Sequence, residues 1–321
     1  SFADVDGDGL DDLLVGGAVK RASLNIEGGD QTPAPYSLWR NLGEGRFENM
    51  TEASGLVFKR NSFSSAFADY DQDGDLDLAV GHWHRMRTNQ GEDVHLWENQ
   101  GKGKFIPANH KMQVNGSWSD IDWSFTPTFA DINNDGWVDL LYTSDFETTQ
   151  YFINDKGQRF FNATDPRVIT DENGMGSAVA DYDNDGDLDW FVTGVFDKKP
   201  KMIANNLSMW GGSGNRLYRN TGDGAFEDVT EEVGVRDGGW GWASCFADFN
   251  NDGHLDILHV NGYLYDDHPA WLDMAGLFTH QAPRLFINDG NGRYVDRALE
   301  LGLAEDEGRS ISCTDFDRDG D

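Results

Sequence analysis

Apolar and polar residues alternate along this chain in short runs bounded by Gly, Asn and Asp, which is the pattern of strands and tight turns. Two kinds of run recur. One alternates small and large side chains, as in SAFA at 65–68 and SCFA at 244–247, and predicts a strand near a crowded axis. The other is a mainly apolar run, at 13–15, 78–80, 140–142, 190–192 and 257–260, and predicts a second strand. A hairpin follows each time: LWRNLGEGRF, LWENQGKGKF, YFINDKGQRF, LYRNTGDGAF and LFINDGNGRY. Each reads as two aromatic-bearing strands joined by a turn in which Asn and Gly are expected at positive φ. Helical character is confined to the short stretches 51–55, 230–234 and 298–302. Four antiparallel strands per unit predict an all-β fold of propeller blades, since a parallel solenoid has no place for the hairpin.

Between the first and second strand of each unit stands D-x-[DN]-x-D-G-x-x-D, beginning at Asp4, Asp69, Asp131, Asp181, Asp248 and Asp315, at intervals of 65, 62, 50, 67 and 67 residues. That is the periodicity of a repeat architecture. Positions 1, 3, 5 and 9 of the five complete loops are Asp4, Asp6, Asp8 and Asp12; Asp69, Asp71, Asp73 and Asp77; Asp131, Asn133, Asp135 and Asp139; Asp181, Asp183, Asp185 and Asp189; and Asp248, Asn250, Asp252 and Asp256. Position 7, expected to offer its backbone carbonyl, is Leu10, Asp75, Trp137, Asp187 and His254. Gly9, Gly74, Gly136, Gly186 and Gly253 stand at position 6, where the chain must turn sharply. A sixth loop starts with Asp315, Asp317 and Asp319.

Hard oxygens in this number suit Ca²⁺, expected at about one ion per complete loop, better than Mg²⁺ with its tighter octahedron. Zinc would need Cys or His at these places. The plain alternative is a set of polar Asp-Gly turns, but carboxylates so crowded would repel one another without a cation. An EF-hand also begins D-x-D-x-D-G, yet it needs a Glu at position 12, where this chain has Val15, Val80, Tyr142, Val192 and His259.

Lys and Arg total 25 against 57 Asp and Glu, and the formal charge of −32 argues against a nucleic-acid or anionic-membrane partner. Such acidity usually marks disorder, but 38% hydrophobic and 12% aromatic residues supply a core. Five divalent ions would bring −32 to −22. No apolar run is long enough to span a bilayer, and the chain opens on a repeat with no signal-like segment. Cys245 and Cys313 lie three and two residues ahead of their loops, so strand parity turns them to opposite faces and both are expected to be free.

The loops and the N-x-G-x-G-x-F hairpin resemble FG-GAP/VCBS repeats of the kind found in integrin α-subunit propellers. FEDVTEEVGV at 226–235 and DYDNDGDLD at 181–189 are most similar to the branch containing the cartilage acidic protein family and ASPIC/UnbV-linked chains. The resemblance implies a seven-bladed, secreted or cell-surface propeller with calcium between the first two strands of each blade. On that frame the chain is a single propeller domain and a fragment, with blades at 1–62, 63–125, 126–174, 175–241 and 242–308 and an incomplete one at 309–321.

Long connections between second and third strands, at 17–37, 82–94, 195–215 and 262–283, lie at the opposite end of the blades from the Asp loops. They carry His82, Trp83, His84, Trp210, His268 and Trp271, candidates for stacking on a sugar or anchoring a protein. The competing reading is that these aromatics pack the loops down, and His82 with His84 also has the spacing of a metal pair. Trp118, Trp123, Trp240 and Trp242 precede first strands and are expected in inter-blade packing, and sequons stand at Asn49, Asn115, Asn162 and Asn206. The expected function is an extracellular, cell-surface or periplasmic calcium-binding module for adhesion or recognition of a protein or carbohydrate. The alternatives are a lyase or dehydratase on a calcium-stabilised propeller, for which no nucleophile–base or acid-pair spacing stands out, and a structural subunit of a surface assembly.

Overall fold

The computed structural model describes residues 1–17, 36–56, 62–84, 94–114, 122–197, 212–262, 281–303 and 308–314. Each repeat forms an antiparallel sheet whose strands follow in sequence order. The first contains β1 (Phe2–Ala3), β2 (Asp12–Val15), β3 (Ser37–Asn41) and β4 (Phe47–Asn49). The second contains β5 (Ser64–Ala68) and β6 (Asp77–Gly81), then, after the short β7 (Trp83–His84), β8 (Leu96–Asn99) and β9 (Phe105–Pro107). The third contains β10 (Asp122–Ala130), β11 (Asp139–Ser144), β12 (Gln150–Asn154) and β13 (Phe160–Asn162). The fourth runs β14 (Ser177–Ala180), β15 (Asp189–Val192), β16 (Arg216–Asn220) and β17 (Phe226–Asp228). The fifth runs β18 (Gly241–Ala247), β19 (Asp256–Asn261), β20 (Arg284–Asn288) and β21 (Tyr294–Asp296). These are blades of a β-propeller.

The second strands of the second, third and fourth sheets are buried along their whole length. In β6, Leu78 and Val80 pack with Leu14 and Leu38 of the first sheet, whereas Ala79, one residue out of phase, packs with Leu140, Tyr142 and Phe152 of the third. β8 alternates in the same way, Trp97 toward the first sheet and Leu96 toward the third. A third cluster joins Phe191 and Leu217 of the fourth sheet to Ile257 and Phe286 of the fifth. The two-residue period of a strand thus serves two interfaces at once.

Two of the three short helical stretches form helices, α1 (Thr51–Ser54) and α2 (Thr230–Val233), while 298–302 is a chain of turns. Gly55 ends α1 at φ 79°, and a Cβ there would also lie 2.8 Å from the Phe105 carbonyl oxygen. By compactness the chain divides into two units, Ser1–Asp131 with Asp135–Tyr142 and Gln150–Ala163, and Ile132–Asn134 with Thr143–Thr149 and Thr164–Asp321.

The structure corrects the reading of the cysteines. Cys245 on β18 and Cys313 are joined in a disulfide with their Cα atoms 6.3 Å apart. Strand parity was measured for each cysteine against its own loop. Parity counts residues within one strand from its own loop, so it does not decide how cysteines of two different repeats lie to each other.

Trp190, with no exposed surface and its indole N–H donating to Ser177 Oγ at 2.9 Å, anchors the fourth blade. Trp190→Ala is expected to cost ~3–5 kcal/mol in urea unfolding. Leu299→Ala, at a side chain 69% exposed, is expected to stay within ~0.5 kcal/mol of the unaltered chain.

Candidate metal centres

The first aspartate of each loop winds the backbone around its own carboxylate. Asp69 accepts the amides of Asp73 at 3.1 Å and Gly74 at 3.0 Å, one on each oxygen. Asp4, Asp131, Asp181 and Asp248 accept the equivalent pair. The fifth residue then takes the amide of the seventh: Asp8 from Leu10, Asp73 from Asp75, Asp135 from Trp137, Asp185 from Asp187 and Asp252 from His254, at 2.9–3.0 Å. Gly9, Gly74, Gly136, Gly186 and Gly253 hold φ between 87° and 96°, the left-handed turn expected of position 6.

Position 9 lies at the bottom of the loop and is buried in all five blades, as Asp12, Asp77, Asp139, Asp189 and Asp256. One carboxylate oxygen takes the amide of loop position 2: Val5 to Asp12, Tyr70 to Asp77, Tyr182 to Asp189 and Phe249 to Asp256, at 3.0–3.3 Å. The other takes the amide of the hairpin asparagine, Asn41, Asn99, Asn154, Asn220 or Asn288, at 2.7–2.9 Å.

These asparagines do not occupy the positive-φ positions that the sequence suggested; glycines, with Glu44, Lys102 and Lys156, take those. The asparagine works through its side chain, its Oδ1 accepting the amide of Gly43, Gly101, Gly157, Gly222 or Gly290 to close the turn.

Three loops gather three carboxylates with oxygens within 4.8 Å of one another: Asp4, Asp6 and Asp8; Asp69, Asp71 and Asp77; and Asp181, Asp183 and Asp189. In the second and fourth loops one oxygen of the position-3 residue, Oδ1 of Asp71 and of Asp183, is buried with no hydrogen-bond donor. A buried, undonated carboxylate oxygen beside two other carboxylates is costly unless a cation meets it. These residues therefore fit a hard metal ion. The third and fifth loops carry Asn133 and Asn250 at position 3, and Asn250 Nδ2 donates to Asp252 at 3.0 Å.

The carboxyl groups titrate as the burial dictates. Desolvation pushes Asp77 up to about 8 and Asp189 up to about 7, the negative charge of neighbouring loop carboxylates adding to it. Desolvation likewise raises Asp6, Asp12, Asp71, Asp183 and Asp256.

Among the described residues, two cations form ion pairs within 4 Å of loop carboxylates, and sequence reasoning missed both. Arg40 lies with Nε 2.6 Å from Asp6 and Nη2 3.0 Å from Asp8. Lys111 lies 2.5 Å from Glu98 and 3.6 Å from Asp71. The signal was the residue just before the hairpin asparagine, which is Arg40, Glu98, Ile153, Arg219 or Ile287 while its neighbours repeat.

The ligand candidates fare differently. His82 is buried, with Nδ1 2.8 Å from Ser62 Oγ and Nε2 2.9 Å from the Val94 carbonyl. It packs at 5.2 Å against His95, which pairs with buried Asp122 at 3.2 Å. Trp83 and His84, expected in a loop, form β7 and extend the third sheet to five strands, Trp83 opposite Trp123 and His84 opposite Asp122. Trp83 stands among Trp123, Phe125 and the 42% exposed Phe63, with ring centroids 5.2–6.2 Å away. Trp123, which lies within β10, and Trp240 are buried, and Trp240 stacks on Trp242 at 6.4 Å. Trp118, Trp210, His268, Trp271, Asp315, Asp317, Asp319 and the sequons at Asn115 and Asn206 lie outside the described residues. Among the described residues no helix is long and apolar enough to cross a membrane.

The repeat is matched by the family model of the FG-GAP-like repeat, over residues 4–80, 86–142, 131–192 and 203–259. The chain belongs to the FG-GAP-like repeat family. Cartilage acidic protein 1 of Homo sapiens is 25% identical to this FG-GAP-like chain over 262 residues, 70% of the chain and 37% of that protein. Its Mus musculus counterpart is 25% identical over 181 residues, 54% of the chain and 26% of that protein. The chain thus spans well under half the length of the curated relatives it matches. Among solved structures, an Agrocybe aegerita lectin whose title describes recognition of non-reducing terminal N-acetylglucosamine aligns at a TM-score of 0.46 and 15% identity, over 88% of this chain and 65% of that one. The V. cholerae biofilm matrix protein Bap1 aligns at 0.48 and 15%, over 91% and 37%.

The buried carboxylates fix a pH response. Asp77 and Asp189 titrate above their ordinary 3.8, so the folded, metal-free FG-GAP-like chain holds their protons more tightly than the unfolded chain does. Metal-free stability must then fall as pH rises toward the folded values of about 7 and about 8. Buried His259, held down to about 3 from 6.5, acts oppositely below pH 6.5. Thermal unfolding in excess EDTA is therefore expected to give a lower Tm at pH 8 than at pH 6.5, and Asp77→Asn is expected to flatten the difference.

Proposed function

We propose that this chain is a calcium-binding propeller module acting outside the cytosol in adhesion or recognition, with metal in the Asp loops and its ligand at the opposite end of the blades. The observation that carries the metal reading is the buried, undonated Oδ1 of Asp71 and of Asp183 within three-carboxylate clusters. Oxygen donors alone, Asp and Asn side chains with the carbonyls of Leu10, Asp75, Trp137, Asp187 and His254, favour Ca²⁺ over zinc. The metal neutralises the loop and holds its backbone; positions 1, 3, 5 and 9 supply the charge. On the same reading the sixth loop binds through Asp315, Asp317 and Asp319.

The disulfide between Cys245 and Cys313 supports an oxidising compartment. So does the sharing of one repeat family with proteins named for cartilage. Extracellular calcium near millimolar matches loops of this type, whose affinities run from about 10⁻⁴ to 10⁻³ M. For the ligand, the partly exposed Phe63 and Trp83 offer an aromatic face suited to a sugar ring or an apolar side chain.

Equilibrium dialysis with metal analysis is expected to find about one calcium per complete loop, and Asp183→Ala to remove one. No bound calcium at millimolar free ion would refute the proposal. Arg40→Gln, which takes a competing cation from Asp6 and Asp8, is expected to tighten the first loop several-fold; an unchanged titration would show that Arg40 does not compete.

A further inference from the structure

The hairpin asparagines do more than close turns. Asn99 of the second blade donates Nδ2 to the Leu76 carbonyl of its own loop at 3.1 Å and to the Val5 carbonyl of the first loop at 2.9 Å. Asn154 does the same with Val138 and, in the second loop, Tyr70, both at 2.9 Å. Asn220 reaches Leu188 at 3.1 Å and Ile132 of the third loop at 2.6 Å. Asn288 reaches Leu255 at 3.3 Å and Tyr182 of the fourth loop at 3.4 Å. The carbonyl taken from the preceding loop is always that of position 2. In the first, second and fourth loops the amide of that same residue donates to the position-9 aspartate. One residue, through the amide on its N-terminal side and the carbonyl on its C-terminal side, and one asparagine thus join the buried carboxylate of one loop to that of the next.

A second link runs between the loops directly. Position 4 is Gln72, Asn134 or Asn184, each at positive φ between 56° and 62°. Gln72 donates to the Gly136 carbonyl of the third loop at 2.7 Å, Asn134 to Asp187 Oδ1 of the fourth at 2.7 Å, and Asn184 to the Gly253 carbonyl of the fifth at 3.5 Å. Two independent sets of side chains therefore connect the second loop to the third, the third to the fourth and the fourth to the fifth.

We infer that Asn99, Asn154, Asn220 and Asn288, with the position-4 amides, are positioning residues that couple adjacent metal loops, so that an ion in one loop raises the affinity of its neighbour. The inference rests on the reading of the loops as calcium sites. An ion fixes positions 1, 3, 5 and 9, and with them the peptides to which the neighbour's asparagine is bonded. The neighbouring loop is then partly ordered before its own ion arrives. By linkage the effect is reciprocal.

The experiment is a calcium titration of the whole chain followed by hydrogen exchange of the loop peptides. Asp183→Ala disables the fourth loop, and the midpoint of protection for 131–139 is expected to move to roughly five-fold higher calcium or more. In a background of Asn220→Asp with Asn134→Gly, the same Asp183→Ala change is expected to leave that midpoint in place. Asp keeps the Oδ1 acceptor for Gly222 but cannot donate to Ile132, and Gly accepts the positive φ of residue 134. If the double change does not fold, Asn134→Gly alone is expected to shrink the shift. A third-loop midpoint indifferent to the fourth loop, or a shift that survives loss of both links, would overturn the coupling. Absence of calcium-dependent protection in every loop of the unaltered chain would instead overturn the metal reading.

Discussion

Every blade buries one carboxylate, the ninth residue of its Asp loop, and the surroundings are arranged to hold that charge. Two backbone amides, one from loop position 2 and one from the hairpin asparagine, reach Asp12, Asp77, Asp189 and Asp256. Amides alone leave the balance unfavourable, as the upward shifts of Asp77 and Asp189 show. Three carboxylates within 4.8 Å are a stable arrangement only with a counter-charge among them. Arg40 supplies part of one at the first loop. Lys111 supplies part of one at the second, 3.6 Å from Asp71.

That requirement ties the acidic loop to the apolar core. The position-9 aspartate opens the second strand, so the residues after it, such as Leu78, Ala79 and Val80, enter the sheet directly from the loop. Holding the aspartate sets the strand's register, and the register decides which side chains face which neighbouring blade. A slip of one residue would send Leu78 and Val80 to the side where only Ala79 fits. The Asp loops are in this sense the part of the chain that sets the packing.

The repeat, the four-strand order and the Asp loops were legible because they depend on local chemistry repeated five times in register. What escaped notice depends on contacts between distant residues. Asparagine in a glycine-rich hairpin suits a left-handed turn, and nothing local reveals that Asn99 reaches a carbonyl 94 residues away. The disulfide joins residues 68 apart in successive repeats, beyond any parity argument within one strand. His82 read as a loop residue, yet its amide donates to Ser124, 42 residues on, and the chain there folds inward before β7. The position preceding each hairpin asparagine was the one such feature with a visible sign, since its charge changes from repeat to repeat.

The most direct test is thermal unfolding of the whole chain in excess EDTA and at increasing free calcium. If ions complete the loops, Tm rises with the logarithm of free calcium once sites begin to fill, each independent site contributing ~2.7 kcal/mol at a hundred-fold excess over its Kd. A melting curve that is the same in EDTA and in millimolar calcium would contradict the account, because the buried carboxylates would then be stable without the charge that the rest of the structure is argued to need.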